Sequence, residues 1–252
     1  MDGGNPRQRG DSVPAHSQSG QPSPYPGGEL EALSQSPNYY RWLLRHFVPY
    51  LGKRVLELGA GIGTVADYLL HNTSIPEFVL VEPADNLFPR LEERFSGGSR
   101  VRLVHGRLED VVSSLSVDSV IAVNVLEHVV DDTALLRAIH QVLVPGGVVL
   151  LFVPALPWLF GTLDESFQHV RRYTKRGLAS QLEKTGFSME RLHYFNCFGV
   201  IAWFAAGKIL RRKTIGVAGA RGYDRWIVPW ASRVEGHWTP PFGQSLVAVA
   251  RK

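Results

Sequence analysis

The sequence predicts an α/β fold: a doubly wound, mostly parallel seven-stranded sheet with helices on both faces, plus a helical insertion before the last strand. Three observations predict it. From residue 53 onward, short apolar runs alternate with segments of helical period, the pattern of parallel strands covered by helices. A glycine-rich turn, Gly59-Ala60-Gly61-Ile62-Gly63, follows the first apolar run. Near the carboxyl end, residues 196–243 break the alternation with an aromatic-rich stretch before a final apolar run at 245–250.

The elements follow in order. Residues 1–28 are rich in Gly, Pro, Ser, Gln and Arg with almost no aliphatic side chains, so they bury too little to offset the entropy of ordering and predict a disordered tail. Ser36 before Pro37 makes an N-cap followed by proline in the first turn. Tyr40, Leu43, Leu44 and Phe47 recur at helical spacing, predicting an amphipathic helix over 37–48 that stops at Pro49. Strand-like runs lie at 54–58, 77–82, 101–105, 118–124 and 147–153, and helix-like stretches at 63–71, 85–95, 109–114 and 132–143. A further helix at 174–185 leads to a strand at 187–195. Within the insertion, helices are expected at about 199–211 and 222–232. A non-strand stretch that long is more often functional than plain loop. Residues 29–252 thus form one domain.

Composition narrows the class. The chain has 252 residues, 44% hydrophobic and 20% charged, with a net charge of +4, ordinary for a globular protein with a sizeable core. The short basic clusters, Arg171-Arg172 with Lys175-Arg176 and Arg211-Arg212-Lys213, are too small for a nucleic-acid stripe. One cysteine, Cys197, excludes an intramolecular disulfide or a CxxC metal site. The amino end lacks a signal-peptide pattern, and no apolar run reaches the ~20 residues of a membrane span. A cytoplasmic protein without a transmembrane segment is expected; the oligomeric state is left open.

Two local signals point to a nucleoside ligand. The strand-to-helix turn at 59–63 lets backbone approach a ligand with no Cβ in the way, though glycine there also serves simply to turn the chain. A dinucleotide fingerprint places its third glycine where this chain has Thr64; the spacing here is GxGxG, which disfavours NAD. Glu82 ends the second strand, where an acid accepts hydrogen bonds from both ribose hydroxyls. His128 with Asp131 and Asp132 hints at a metal, but one His and two adjacent acids lack a settled ligand geometry. They fit a helix N-terminus, and no metal is expected.

Taken with Val55-Leu56-Glu57-Leu58 before the turn, VEP at 81–83, GRLED at 106–110, VNVLEHV at 123–129 and LVPGGVVLLFVPA at 143–155, the chain resembles the class I (Rossmann-like) S-adenosylmethionine-dependent methyltransferases over about 37–195. The resemblance implies that Gly59, Ala60, Gly61 and Gly63 wrap the cofactor and that Glu57 sits below the turn near the methionine amine. It implies that Glu82 holds the ribose, with Pro83 and Ala84 beside the adenine. Leu108 and Glu109 would flank the adenine, and Asn124 and Val125 the methionine end. Tyr40 and Arg41 would cover the cofactor from the amino-terminal helix.

Methyl transfer from a sulfonium is an in-line displacement with an activated leaving group, so alignment and exclusion of water are the main tasks. The segment from Asp164 to Tyr173 follows the fifth strand and should border the acceptor; it resembles a D…H-x-RRYT segment in small-molecule and lipid-quinone-type methyltransferases. His169 is the candidate base, with Asp164 orienting it, against the alternative of a purely structural loop. If the sixth strand is parallel, the insertion emerges over the active site. Its Trp203, Trp226, Trp230 and Trp238 either line a pocket for a small-molecule or lipid-like acceptor, dock on a membrane surface, or form a cap or dimer contact. A non-catalytic cofactor-binding regulatory module and an NAD-dependent oxidoreductase are the competing functions.

Overall fold

The computed structural model describes Tyr25 and residues 27–252. Most of the expected tail, residues 1–24 and 26, lies outside the described residues. The elements run α1 (Gly28–Ser34), α2 (Pro37–Leu44), β1 (Arg54–Leu58), α3 (Thr64–Asn72), β2 (Glu77–Glu82), α4 (Phe88–Phe95), β3 (Val101–His105), α5 (Leu108–Val111) and β4 (Val117–Val123). They continue with α6 (Asp132–Val142), β5 (Leu143–Pro154), α7 (Thr162–Ser166), α8 (Lys175–Lys184) and β6 (Ser188–Phe195). The last are α9 (Cys197–Trp203), α10 (Val217–Trp226), α11 (Val228–His237) and β7 (Ser245–Arg251).

The strands form one seven-stranded sheet in the order β3-β2-β1-β4-β5-β7-β6. β7 runs antiparallel to both its neighbours, and the other pairings are parallel. β6 therefore points the same way as β5. Its end lies on the ligand side, as the sequence argument required. The chain order reverses between β1 and β4, which is where ligands bind in open sheets of this kind.

Both faces of the sheet are buried, and side chains alternate between them. Leu56, Val79, Val81, Val120, Leu151 and Ala248 share one core. Val55, Phe78, Leu80, Ile121, Leu150 and Val249 share the other. α2 and the turn after it cover the second face with Trp42, Leu43, Leu44 and Phe47 at or below 2% exposure, each contributing about 1.5–3 kcal/mol by burial.

Boundaries differ from expectation where packing overrides local pattern. The helix expected over 37–48 ends at Leu44, and Pro49 sits in a separate short turn, Val48–Tyr50. Ser36 makes no side-chain cap. Asp224 of α10 does that work instead, accepting from the backbone N–H groups of Asn38 (3.3 Å) and Tyr39 (2.8 Å). β5 begins at Leu143, earlier than expected, because Leu143 pairs with Val117 ahead of a bulge in which Gly146 has φ +76°. α9 begins at Cys197 and continues as a π turn over Phe204–Ile209. Helix α1 was not expected. It begins at the edge of the tail region, where Tyr25 exchanges backbone hydrogen bonds with the Asn86 side chain.

Candidate functional site

The turn after β1 is shaped by three left-handed glycines, Gly59 (φ +67°), Gly61 (φ +58°) and Gly63 (φ +78°). The N–H groups of Gly59 and Ala60 both donate to the Val81 carbonyl (2.8 and 3.1 Å), tying the turn to β2. A Cβ on Gly59 would lie 2.8 Å from Cγ2 of Val125, so the ends of β1 and β4 meet only because that side chain is missing. One turn later, Gly61 N–H donates to Glu82 Oε2 at 2.7 Å, and Ala84 N–H donates to Oε1 at 2.8 Å. The glycine turn and the acid that closes β2 are thus a single hydrogen-bonded unit. Burial raises the Glu82 pKa, and the two N–H groups oppose that rise.

Glu57 lies beneath the turn, 3% exposed, and its Oε2 has no hydrogen-bond partner among the described residues. Burial and then the charge on Glu82 push its pKa well above the usual carboxylate range. A positively charged ligand amine would relieve both effects. Tyr40 is close by: burial and then the Glu57 charge raise its phenol pKa. Arg41 points elsewhere. It is exposed, hydrogen-bonds Asn38 Oδ1 and lines an outer groove with Arg45, Tyr68 and Pro229.

The remaining expected contacts divide. Asn124 takes a left-handed φ of 52° at the end of β4, and its side chain is exposed beside Val125. Pro83 is half-buried. Leu108, by contrast, is buried in the core between the sheet and α6, and Glu109 is exposed on the first turn of α5.

The second part of the site follows β5. Asp164 is fully buried and accepts four hydrogen bonds: from Arg172 Nε (2.7 Å), His169 Nδ1 (3.0 Å), Gly161 N (3.0 Å) and Trp203 Nε1 (3.2 Å). Burial alone would raise its pKa, but the His169 bond and the Arg172 charge outweigh it and leave it lowered. Arg172 also donates to the Ala155 carbonyl, and its guanidinium stacks 4.9 Å from the Trp203 ring. On its other side, His169 Nε2 lies 3.8 Å from Glu127 Oε1. Burial raises the pKa of Glu127 to about 8, partly opposed by Arg172.

His169 and Asp164 are therefore together, as expected from the sequence. Three further members were not expected beside His169 and Asp164, Trp203 being expected only as a pocket-lining, membrane-docking or capping aromatic. Arg172 and Trp203 are the other side chains bonded to Asp164, and Glu127 lies inside the VNVLEHV motif. An acid next to His128 in the turn that follows β4 was the signal available for Glu127. Trp203 had none, because its partner lies 39 positions away.

Tyr25 links the two parts. Its ring packs edge-on against His128 at 5.5 Å. Burial and Glu29 raise its phenol pKa, with smaller contributions from Glu127 and Glu82. Leu30 of α1 rests over Gly61 beside Ile62, Ala84 and Leu87. This amino-terminal cover over the glycine turn was assigned to the tail or left unplaced by sequence pattern, because a Gly/Pro-rich neighbourhood hides a seven-residue helix.

The residues present fit an adenosyl sulfonium ligand: a glycine cradle, an unpartnered buried carboxylate below it and a fixed acid for the ribose. A family model described as "Methyltransferase domain" matches residues 34–192. A curated relative from Mycolicibacterium smegmatis, described as a probable S-adenosylmethionine-dependent methyltransferase, is 29% identical over 160 residues, covering 59% of this chain. That match spans 60% of the relative's length. Among solved structures, a Mesorhizobium loti S-adenosylmethionine-dependent methyltransferase aligns at 15% identity and TM-score 0.56, covering 83% of this chain and 95% of that one. Phosphoethanolamine N-methyltransferase 2 of Haemonchus contortus, solved with S-adenosylmethionine, aligns at 20% identity and TM-score 0.55, covering 86% and 52%. The chain belongs to the class I S-adenosylmethionine-dependent methyltransferase family.

Proposed function

We propose that this chain transfers the methyl group of S-adenosylmethionine to a small-molecule or lipid-like acceptor. The observation that carries the reading is the 2.7 Å bond from Gly61 N–H to Glu82, at the switch point of the sheet and on the same edge as the buried Asp164–His169–Glu127 row. S-adenosylmethionine, when bound, supplies a methyl group on a positively charged sulfur. The protein's part is to align and to exclude water. Gly59, Ala60, Gly61 and Gly63 bring backbone up to the ligand, Glu57 faces its amine, and Glu82 keeps acceptor capacity for the ribose hydroxyls. Asn124 and Val125 border the methionine end, and Tyr40 closes the site from α2. Pro83 and Glu109 belong to the adenine end, while Leu108 packs in the core beneath it. His169, fixed by Asp164, forms the polar end of the acceptor site.

The insertion supports a greasy acceptor reached at a lipid surface. Trp158 packs on Phe204 (6.2 Å) and Phe198 on Trp230 (4.6 Å); with exposed Ile201, Ile209 and Leu210 they supply the side chains of an apolar ledge. Lys208, Arg211, Arg212 and Lys213, adjacent in sequence to Ile209 and Leu210, are exposed as well. Apolar side chains beside cations suit peripheral contact with anionic lipid. No helix among the described residues is long and apolar enough to cross a membrane. The buried thiol of Cys197 suits the cytoplasm, and no nucleic-acid partner is invoked.

Calorimetry with S-adenosylmethionine and S-adenosylhomocysteine tests the reading. Micromolar binding that Glu82→Ala weakens about 100-fold, roughly 2.7 kcal/mol, is expected. Folded protein that binds neither compound would falsify it.

A further inference from the structure

The buried row holds donors that the cofactor does not use. Glu127 is fully buried, and neither carboxylate oxygen has a hydrogen-bond partner among the described residues. Nδ1 of His128 is buried and unpartnered in the same way. His169 brings Nε2 to the same spot, 3.8 Å from Glu127 Oε1, with its ring edge-on to His128 at 4.8 Å. One donor atom from each of the three residues lies within 4.8 Å of the other two. Interior polar atoms left unpaired cost about 1–3 kcal/mol each, so something that satisfies all three at once would stabilise the fold.

We propose that Glu127, His128 and His169 bind one divalent transition-metal ion of the Zn2+, Co2+ or Fe2+ type. Two imidazoles and one carboxylate form a borderline donor set that such ions prefer, whereas Mg2+ and Ca2+ favour oxygen alone. Ligand distances of about 2.0–2.2 Å require the donor atoms to draw in from their present spacing of up to 4.8 Å. His169 is already oriented: Nδ1 faces Asp164 Oδ1 at 3.0 Å and leaves Nε2 as the ligand nitrogen. This carboxylate–histidine relay is the outer support that metal-bound histidines usually have. Arg172, Trp203 and Gly161 fix Asp164 in turn.

The acids first associated with His128 are otherwise engaged. Asp131 caps α6 through Ala134 N–H (2.9 Å), and Asp132 is bound by Arg171, Tyr173 and Gln181. Three protein ligands leave positions open on the ion. An acceptor hydroxyl that took one would become more acidic, losing its proton to solvent while its oxygen stayed on the ion. The site rests on the methyltransferase reading for its purpose and gives His169 a ligand's place instead of a free base's.

The test uses the full chain, stripped with a chelator and dialysed against Zn2+ or Co2+. One equivalent of Zn2+ should bind and raise Tm, and Co2+ should give visible ligand-field bands. Glu127→Gln and His169→Gln should each weaken binding at least 100-fold, whereas His71→Gln and His237→Gln, at exposed positions, should leave it unchanged. Absence of stoichiometric uptake by the unsubstituted chain overturns the proposal, so the result does not depend on how the variants fold. Uptake that survives both ligand-site substitutions, or that disappears with His71→Gln, overturns it too. Calorimetry with S-adenosylmethionine on the stripped protein separates the two ideas. Cofactor binding without metal uptake sinks the metal site alone, and metal uptake without cofactor binding sinks the methyltransferase reading alone.

Discussion

The two halves of the site are made of different materials. On the β1–β2 side the ligand surface is main chain: three left-handed glycines, N–H groups aimed at one carboxylate, and a close approach to Val125 allowed by a missing side chain. On the side beyond β5 it is side chain: Asp164, His169, Arg172, Glu127 and Trp203, drawn from positions spread between 127 and 203 and packed in the interior. A main-chain site is specified by a few consecutive residues and tolerates changes around it. A buried side-chain network depends on every member.

That contrast can be broken most directly at Asp164. Asp164→Ala leaves Arg172 buried without its carboxylate, and urea denaturation should report a loss of about 3–5 kcal/mol. A loss below 1 kcal/mol would mean that the network is far less interdependent than its geometry implies. The next largest effect tests the main-chain half. Glu82→Ala should leave the far-ultraviolet dichroism intact while costing the ~100-fold in cofactor affinity given above, and an equally large fall in stability would erase the distinction between the halves.

A third measurement uses a buried pair outside both halves. The rings of His46 and His193 pack at 4.9 Å, tilted by 49°, and burial depresses each pKa to about 4, assisted for His46 by His193. The unfolded chain then binds more protons than the native one between about pH 6.5 and 4. Stability should be complete above pH 6.5 and fall by on the order of 2 kcal/mol on acidification through that window. His46→Gln with His193→Gln should flatten the profile, and an unchanged slope would assign the loss to other groups. Smallest of all, Ile201→Ser with Trp230→Ser should shift stability by less than about 0.5 kcal/mol, as surface changes do. The same pair should reduce sedimentation with anionic vesicles severalfold, and undiminished sedimentation would remove the ledge from lipid contact.

The same contrast explains what the sequence made legible. The doubly wound, mostly parallel sheet follows from alternation and the glycine turn, and Gly61 with Glu82 could be paired because each sits at the end of a recognisable strand. His169 with Asp164 was found because five residues separate them. Arg41 and Leu108 show the limit. Neighbours in sequence to Tyr40 and Glu109, they face a groove and the core respectively, since helix phase is set by tertiary packing. Asp224 capping α2 and Glu235 capping α9 (2.8 Å to Cys197 N) are contacts across 185 and 38 positions, which no local pattern encodes.

The antiparallel β7 carries a consequence for how such a chain diversifies. Phe195 and Ser245 are register partners, and Asn196 and Gln244 bond to each other just beyond them. The aromatic segment therefore departs and returns through one doorway, clasped shut by the sheet itself. Lengthening it between Lys213 and α10 would add only the slowly growing entropy of a larger loop, provided that Trp203 stays on Asp164 and Asp224 on α2. Acceptor choice could then drift through that stretch, with the nucleoside-holding machinery inherited unaltered.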